Sequence, residues 1–272
     1  VRIARFANNG NGISWGLVEG ERMRLLDGSL FDGIRPTDRT APLERVRLLA
    51  PVLPGKIVAL GLNYREHIRE MGHQVPDEPV LFMKPPSALL GPGGAILLPG
   101  RSARVDHEAE LALVVGRRCR NLKPADAAGA LLGVTCINDV TARDLQQKDG
   151  QWTRAKGFDT FAPLGPWIET DEPEAHRRVE CLVNGEVRQS GNTADLLFSP
   201  ADILAFVSGI MTLEPGDVIA TGTPPGVGPL APGDRVAVRI EGIGELENTV
   251  LSADRPWEAI PALLPAPAGN HR

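Results

Sequence analysis

The segment Ala50-Pro51-Val52-Leu53-Pro54-Gly55 constrains this chain most, because its two prolines and a glycine can continue neither a helix nor a central strand. It reads as a linker between a small lobe over residues 1–50 and a larger domain over residues 51–272. Before it, Arg2 to Phe6, Ser14 to Val18 and Glu21 to Leu26 alternate apolar and polar residues. Asn9-Gly10-Asn11-Gly12 and Asp27-Gly28 separate these stretches as turns. A period of two belongs to strands with one buried face, so the lobe is expected to be β-rich.

Beyond the linker, Lys56 to Leu60, Val80 to Met83, Ala95 to Leu98, Ala109 to Val115 and Gly133 to Asn138 read as strands. Tyr64 to Met71 has helical character that Gly72 ends, and Pro124 to Leu132 suits a short helix. Asn184-Gly185, between Arg178 and Arg188, supplies the two positive φ angles of a type I′ hairpin turn. The clearest helix follows Ser199: a capping serine, Pro200 at the first helical position, and Ile203, Leu204, Phe206, Val207 and Ile210 on one face. Asp217 to Ala220 and Arg235 to Ile240 are strands around the glycine and proline loop Gly222 to Gly228. The Pro- and Ala-rich tail from Ala253 is expected to pack loosely. The fold class is α+β, mainly β.

Composition narrows the partners. No apolar run in the 272 residues approaches the roughly 20 needed to span a bilayer, so no membrane is expected. Val1 to Phe6 contains neither an apolar h-region nor a cleavage site, which points to the cytoplasm. A net charge of -5 without a basic stripe argues against nucleic acid, whose phosphates demand clustered cations. Cys119, Cys136 and Cys181 lack the paired spacing of a disulfide framework or zinc site and are expected as buried thiols.

Asp106-His107-Glu108-Ala109-Glu110 leads into the apolar run Leu111 to Val115. On a strand Glu108 and Glu110 share a face while His107 and Ala109 point away. Two neighbouring carboxylates beside an apolar run repel each other, a conflict that a divalent cation resolves. A third acid, Asp139, ends the strand Gly133 to Asn138, where a rigid element presents its side chain. Three carboxylates with no cysteine or histidine pattern favour Mg²⁺ or Mn²⁺, with positions left for water and substrate.

Six motifs then fall in one order: Gly61-Leu62-Asn63-Tyr64-Arg65-Glu66-His67, Phe82-Met83-Lys84-Pro85-Pro86-Ser87, the Glu-x-Glu strand, Asn138-Asp139-Val140-Thr141-Ala142-Arg143-Asp144, Lys156-Gly157-Phe158-Asp159-Thr160-Phe161 and Thr221-Gly222-Thr223-Pro224-Pro225-Gly226-Val227. The series, over roughly residues 55 to 245, resembles the fumarylacetoacetate hydrolase family. The resemblance implies a mixed β-sandwich roll, a metal on Glu108, Glu110 and Asp139, a homodimer, and a small 2-oxo or enol acid chelating the metal. It also implies hydrolysis of a carbon–carbon bond, decarboxylation or isomerisation.

The same resemblance gives His67 and Glu70, three residues apart on one helical face, the role of a proton-transferring dyad. Lys156, one of only five lysines, would stabilise enolate charge. Lys84, Arg143, Gln146 and Thr223 are candidates for holding substrate, with Arg143 alternatively bracing the metal strand. His73, His176 and His271 are expected on the surface, and His107 packed or behind the ligands. The leading expectation is an acylpyruvate or diketo-acid hydrolase in which His67, polarised by Glu70, activates water while the segment 64 to 78 closes over the site. Isomerisation of a 2-hydroxy-dienedioate and decarboxylation of oxaloacetate are its rivals on the same site, and a metal-stabilised binding protein without turnover is the rival from another class.

Overall fold

The computed structural model describes residues 1–8, 12–70, 72–173 and 175–253. The tip of the first expected turn, the tail beyond Ala253 and His271 lie outside the described residues. Two sheets face each other. The larger has twelve strands, whose main path runs Pro36–Pro42, Arg22–Leu26, Ile13–Glu19, Arg2–Asn8, Ala162–Glu169, Leu131–Asn138, Ala109–Val115, Val218–Ala220, Ile57–Gly61 and Val80–Lys84. The smaller has five, in the order Glu186–Asn192, Arg178–Val183, Arg235–Ile240, Gly244–Ser252 and Ala95–Leu98. This is the mainly β, mixed sandwich that the resemblance implies. Among the described residues no helix is long and apolar enough to cross a membrane.

Side-chain alternation explains the layers. Along Ala109–Val115, Leu111, Leu113 and Val115 pack into a core shared with Val179, Cys181, Val236 and Val238 of the smaller sheet, while Ala112 and Val114 pack into a second core with Ile57, Ile137, Leu164 and Ile168. Every residue of that strand is buried. A strand covered on both faces reads as a continuous apolar run, as this one does. The lobe over 1–50 does not stand apart, because Arg2–Asn8 pairs antiparallel with Ala162–Glu169 and continues the large sheet.

Most expected elements are present with ends shifted by a residue or two, including helix Arg65–Glu70 and the hairpin whose Asn184 and Gly185 have φ of 54° and 83°. Pro124 to Leu132 differs. It forms two 3-10 turns, Pro124–Asp126 and Ala128–Ala130, before the strand Leu131–Asn138 begins. Ala127 donates to the Pro124 carbonyl and Ala130 to that of Ala127, so the chain tightens into i to i+3 bonds instead of opening an α-helix. Helix Pro200–Ile210 carries a full capping box, with Ser199 Oγ accepting from the Asp202 N–H and the Asp202 carboxylate accepting from the Ser199 N–H. Replacing Ser199 by Ala is expected to remove about 1 kcal/mol of stability. Calorimetry would read this as a Tm lower by roughly 2–4 °C.

Candidate metal centre and active site

One register creates the acidic cluster. Ala109 pairs with Asn138 at the end of the antiparallel ladder between Ala109–Val115 and Leu131–Asn138. The Asp139 N–H donates to the Glu108 carbonyl at 2.9 Å, and the Glu108 N–H donates to the Asn138 side chain at 3.0 Å. Glu108 and Glu110 thus flank the last pair while Asp139 steps off the neighbouring strand beside them. All three are buried, and each offers a carboxylate oxygen within 4.8 Å of the others.

Cations surround two of the three. Lys156 Nζ donates to Glu108 Oε2 at 2.8 Å and to Asp139 Oδ2 at 2.6 Å. Arg143 Nη2 donates to Glu108 Oε1 at 2.6 Å, and Lys84 Nζ to Asp139 Oδ1 at 2.5 Å. Burial opposes ionisation of Glu108, but Lys156 and Arg143 outweigh it and hold the carboxyl well below its ordinary range. Burial likewise opposes the charge on Lys156, and Asp139 and Glu108 overcome it to raise that ammonium's pKa.

Glu110 stands differently. Among the described residues it forms no ion pair, and its one hydrogen bond comes from the Gly222 N–H at 2.8 Å. Burial, followed by repulsion from Asp139 and Glu108, pushes its carboxyl well above the ordinary value. An all-oxygen, buried donor set with one carboxylate left without a positive partner fits a hard divalent cation. The fit rests on these three residues and on that charge imbalance.

Glu108 and Glu110 open into a cleft that His67, Gln146 and Lys156 also line, with Leu60, Leu62, Phe82 and Trp152 as its apolar wall. His67 is buried at 7% exposure, and its Nδ1 lies 2.8 Å from Glu70 Oε2. Glu70 also accepts from the Gly226 N–H, which ties helix Arg65–Glu70 to the glycine and proline loop. Leu62 keeps a φ of 59°, a conformation costly for a bulky residue, held by Asn63, whose side chain bonds to Phe198 and Thr221. Phe82 meets Trp152 edge-on, with ring centroids 5.2 Å apart, and lies 4.7 Å from Lys156 Nζ.

Lys84, Arg143 and Thr223, three of the expected substrate ligands, all hydrogen-bond within the protein. Lys84 is fully buried, and with Asp139 and the Val140 carbonyl as its acceptors it steadies a carboxylate instead of gripping substrate. The Thr223 hydroxyl donates to the Ala109 carbonyl at 2.9 Å and accepts from Gln189 Nε2 at 2.7 Å, so its one proton is committed within the protein. Arg143 divides its guanidinium among Asp106, Glu108 and Gln146, contacts that suit the bracing alternative. Gln146, Arg143 and Thr223 border the cleft, and Lys84 does not line it. His73, expected on the surface, is exposed and borders it too, whereas His176 is simply exposed.

Sequence reasoning missed Gln189, Asp106 and Trp152. Gln189 is 1% exposed and its Oε1 accepts from the Ala109 N–H at 3.0 Å and lies 3.0 Å from His107 Nδ1. It pins the hairpin of the small sheet to the metal strand. An isolated glutamine in a strand carries no pattern that signals this. His107 is packed, as expected, and burial lowers its pKa. The three cysteines are buried and free.

The raised carboxyl of Glu110 has a defined consequence for the metal-free protein. The folded state binds this proton more tightly than the unfolded chain, so the associated stability is full below the ordinary pKa of 4.5 and is lost as pH rises through the raised value. Metal-free Glu110→Gln is therefore expected to melt above the metal-free wild type at pH 8, with the gap closing below pH 4.5. Added Mn²⁺ should raise the wild-type Tm and leave the variant nearly unmoved. Thermal melts with and without chelator measure both.

The comparisons with known proteins agree with this geometry. A family model described as fumarylacetoacetate (FAA) hydrolase C-terminal matches residues 56–251, and one described as Rv2993c-like, N-terminal matches residues 1–51. The human mitochondrial oxaloacetate tautomerase FAHD2A is 44% identical over 223 residues, covering 77% of this chain and 71% of that protein. The crystal structure of 2-hydroxyhepta-2,4-diene-1,7-dioate isomerase from Mycobacterium marinum superposes with a TM-score of 0.87 at 43% identity, over 93% of this chain and 99% of that one. Maleylpyruvate hydrolase from Sphingobium sp. SYK-6, in complex with manganese(II) and pyruvate, gives 0.78 at 32% identity, over 93% and 99%. With its six motifs brought around one buried acidic cluster, and the family model spanning most of its length, this chain belongs to the fumarylacetoacetate hydrolase family.

Proposed function

We propose that this protein is a metal-dependent enzyme that moves protons on a small 2-oxo acid, interconverting its keto and enol forms as a tautomerase or isomerase. The observation that carries the reading is the His67–Glu70 pair, 2.8 Å apart, on the same cleft as Glu108, Glu110 and Lys156. Bound to the three carboxylates, Mg²⁺ or Mn²⁺ supplies Lewis acidity that stabilises charge on an enolate oxygen.

The protein's own groups do the rest. The Glu70 carboxylate accepts a hydrogen bond from the Nδ1–H of His67, so Nε2 is the basic nitrogen that accepts a proton from a substrate carbon and returns it elsewhere. The Gly226 N–H holds Glu70 in place for that task. Lys156 adds positive charge where the enolate develops. The Gln146 carbonyl is occupied by Arg143 Nη1 at 2.7 Å, which leaves its amide N–H groups to orient the substrate. Leu60, Leu62, Phe82 and Trp152 limit water around the reacting carbon.

The relatives at 43% and 44% identity bear names of proton-moving enzymes, which supports this order of preference. Hydrolysis of the carbon–carbon bond of an acylpyruvate is the second reading, favoured by the likeness to maleylpyruvate hydrolase and by a dyad equally suited to activating water. The protein loaded with Mn²⁺ is to be incubated with oxaloacetate, a 2-hydroxy-dienedioate and acetylpyruvate, and the products followed by NMR. Tautomer or double-bond exchange without loss of carbon supports the first reading, pyruvate with acetate the second, and pyruvate with carbon dioxide a decarboxylase. No turnover of any of the three sinks both. His67→Ala is expected to lower kcat by about 10²- to 10⁴-fold with Mn²⁺ affinity unchanged, and wild-type rates in that variant would remove the dyad from the mechanism.

A further inference from the structure

Asp106 is buried at 0% exposure, two residues before Glu108, and it touches neither the cleft nor the other carboxylates of the cluster. It lies in the short strand Val105–His107, opposite Thr141 of the strand Thr141–Ala142 that leads into helix Arg143–Asp149. Its partners are two arginines. Arg143 Nε donates to Oδ2 at 3.0 Å, while Arg104 donates from Nε to Oδ1 at 2.8 Å and from Nη2 to Oδ2 at 3.2 Å. Arg104 is half exposed and Arg143 is buried, so the second arginine is the one whose charge matters inside.

Arg143 is planar, and its three donor groups meet three different acceptors: Asp106 at Nε, Gln146 Oε1 at Nη1 and Glu108 Oε1 at Nη2. Fixing one edge of the guanidinium fixes the other two. We propose that Asp106 is a positioning residue which, through Arg143, orients Glu108 for a divalent cation and turns the Gln146 side chain so that its amide N–H groups face the cleft. The inference rests on the reading of Glu108, Glu110 and Asp139 as a metal site.

Two physical consequences follow from losing the Asp106 charge. An asparagine there keeps one acceptor oxygen where two arginines use both carboxylate oxygens, and its NH₂ faces a guanidinium, so Arg143 loses its firm anchor and the Glu108 carboxylate and the Gln146 amide lose their fixed orientations. Its positive charge, no longer balanced by Asp106, also repels a cation approaching Glu108. Substitutions of groups that orient metal ligands commonly weaken metal affinity or activity by about 10- to 100-fold.

The test uses Mn²⁺ alone, titrated calorimetrically into the full chain, with steady-state kinetics on oxaloacetate beside it. Asp106→Asn is expected to weaken Mn²⁺ by about 10- to 100-fold and to raise KM. Arg143→Gln should weaken it by a similar factor, and the double variant should be no weaker than Arg143→Gln alone, because Asp106 acts only through that arginine. Additive losses in the double variant would overturn the proposal while leaving the metal reading intact. Failure of the wild type to bind Mn²⁺ would overturn both. Because burying an unpaired arginine endangers folding, Gln146→Glu provides an independent arm. A carboxylate there keeps the bond to Arg143 and loses the amide donor, so KM read at saturating Mn²⁺ should rise at least tenfold. An unchanged KM would show that the amide N–H groups do not face the substrate and would overturn the assignment.

Discussion

The register that sets Ala109 opposite Asn138 is the constraint on which the site depends. A slip of one residue would send Glu110 into the core that receives Leu111 and turn Leu111 toward the cations. Apolar side chains on both faces of Ala109–Val115 forbid that slip, since each alternate residue is already committed to one of two cores. The same packing that stabilises the sandwich therefore fixes the distance between the three carboxylates. A cation site on a loop would lack that enforcement.

Charge inside the cluster is nearly, but not fully, balanced. Among the buried groups, four acids, Asp106, Glu108, Glu110 and Asp139, face three cations, Lys84, Lys156 and Arg143, while the half-exposed Arg104 pairs with Asp106 from the surface. Buried charges are tolerated only when paired, and a pair broken by loss of one partner is far costlier than a pair never formed. The imbalance falls on Glu110 because its neighbours on the ladder are backbone and its nearest donor is the Gly222 N–H. Glycine is needed there: φ is 98°, and a Cβ would lie 2.8 Å from that of Asn63.

Much of this was legible beforehand. Alternation and continuous apolar runs marked the strands around the acids, because burial on one or two faces leaves a direct trace in residue order. The capping serine and Asn184-Gly185 were legible because local backbone geometry demands those residue types. Strands Ala162–Glu169 and Gly244–Ser252 were not, for different reasons. Pro163 and Pro166 disguise the first, and in the second the inward position between Leu246 and Val250 is the polar Asn248, which breaks the apolar alternation. The roles of Lys84 and Thr223 were obscured because a side chain's chemistry does not reveal whether its donors are already spent. That depends on contacts such as the Val140 and Ala109 carbonyls, distant in the chain. Trp152 escaped for the same reason, since its place beside Phe82 is set by tertiary packing alone.

The loop between Thr221 and Gly228 touches both halves of the chemistry, with the Gly222 N–H on Glu110 and the Gly226 N–H on Glu70. Gly226 has a φ of 96°, and a Cβ there would lie 2.3 Å from the Arg188 carbonyl, so the span admits little variation. A segment that bonds one acid of the buried trio and the carboxylate beside His67 behaves as a spacer of fixed length. Leu62, Phe82 and Trp152, on the apolar wall of the cleft, carry no such double constraint. Lengthening the spacer by a single residue would release Glu110 and Glu70 from their shared reference at once, whereas a change in the wall would alter the cleft and leave that separation as it is.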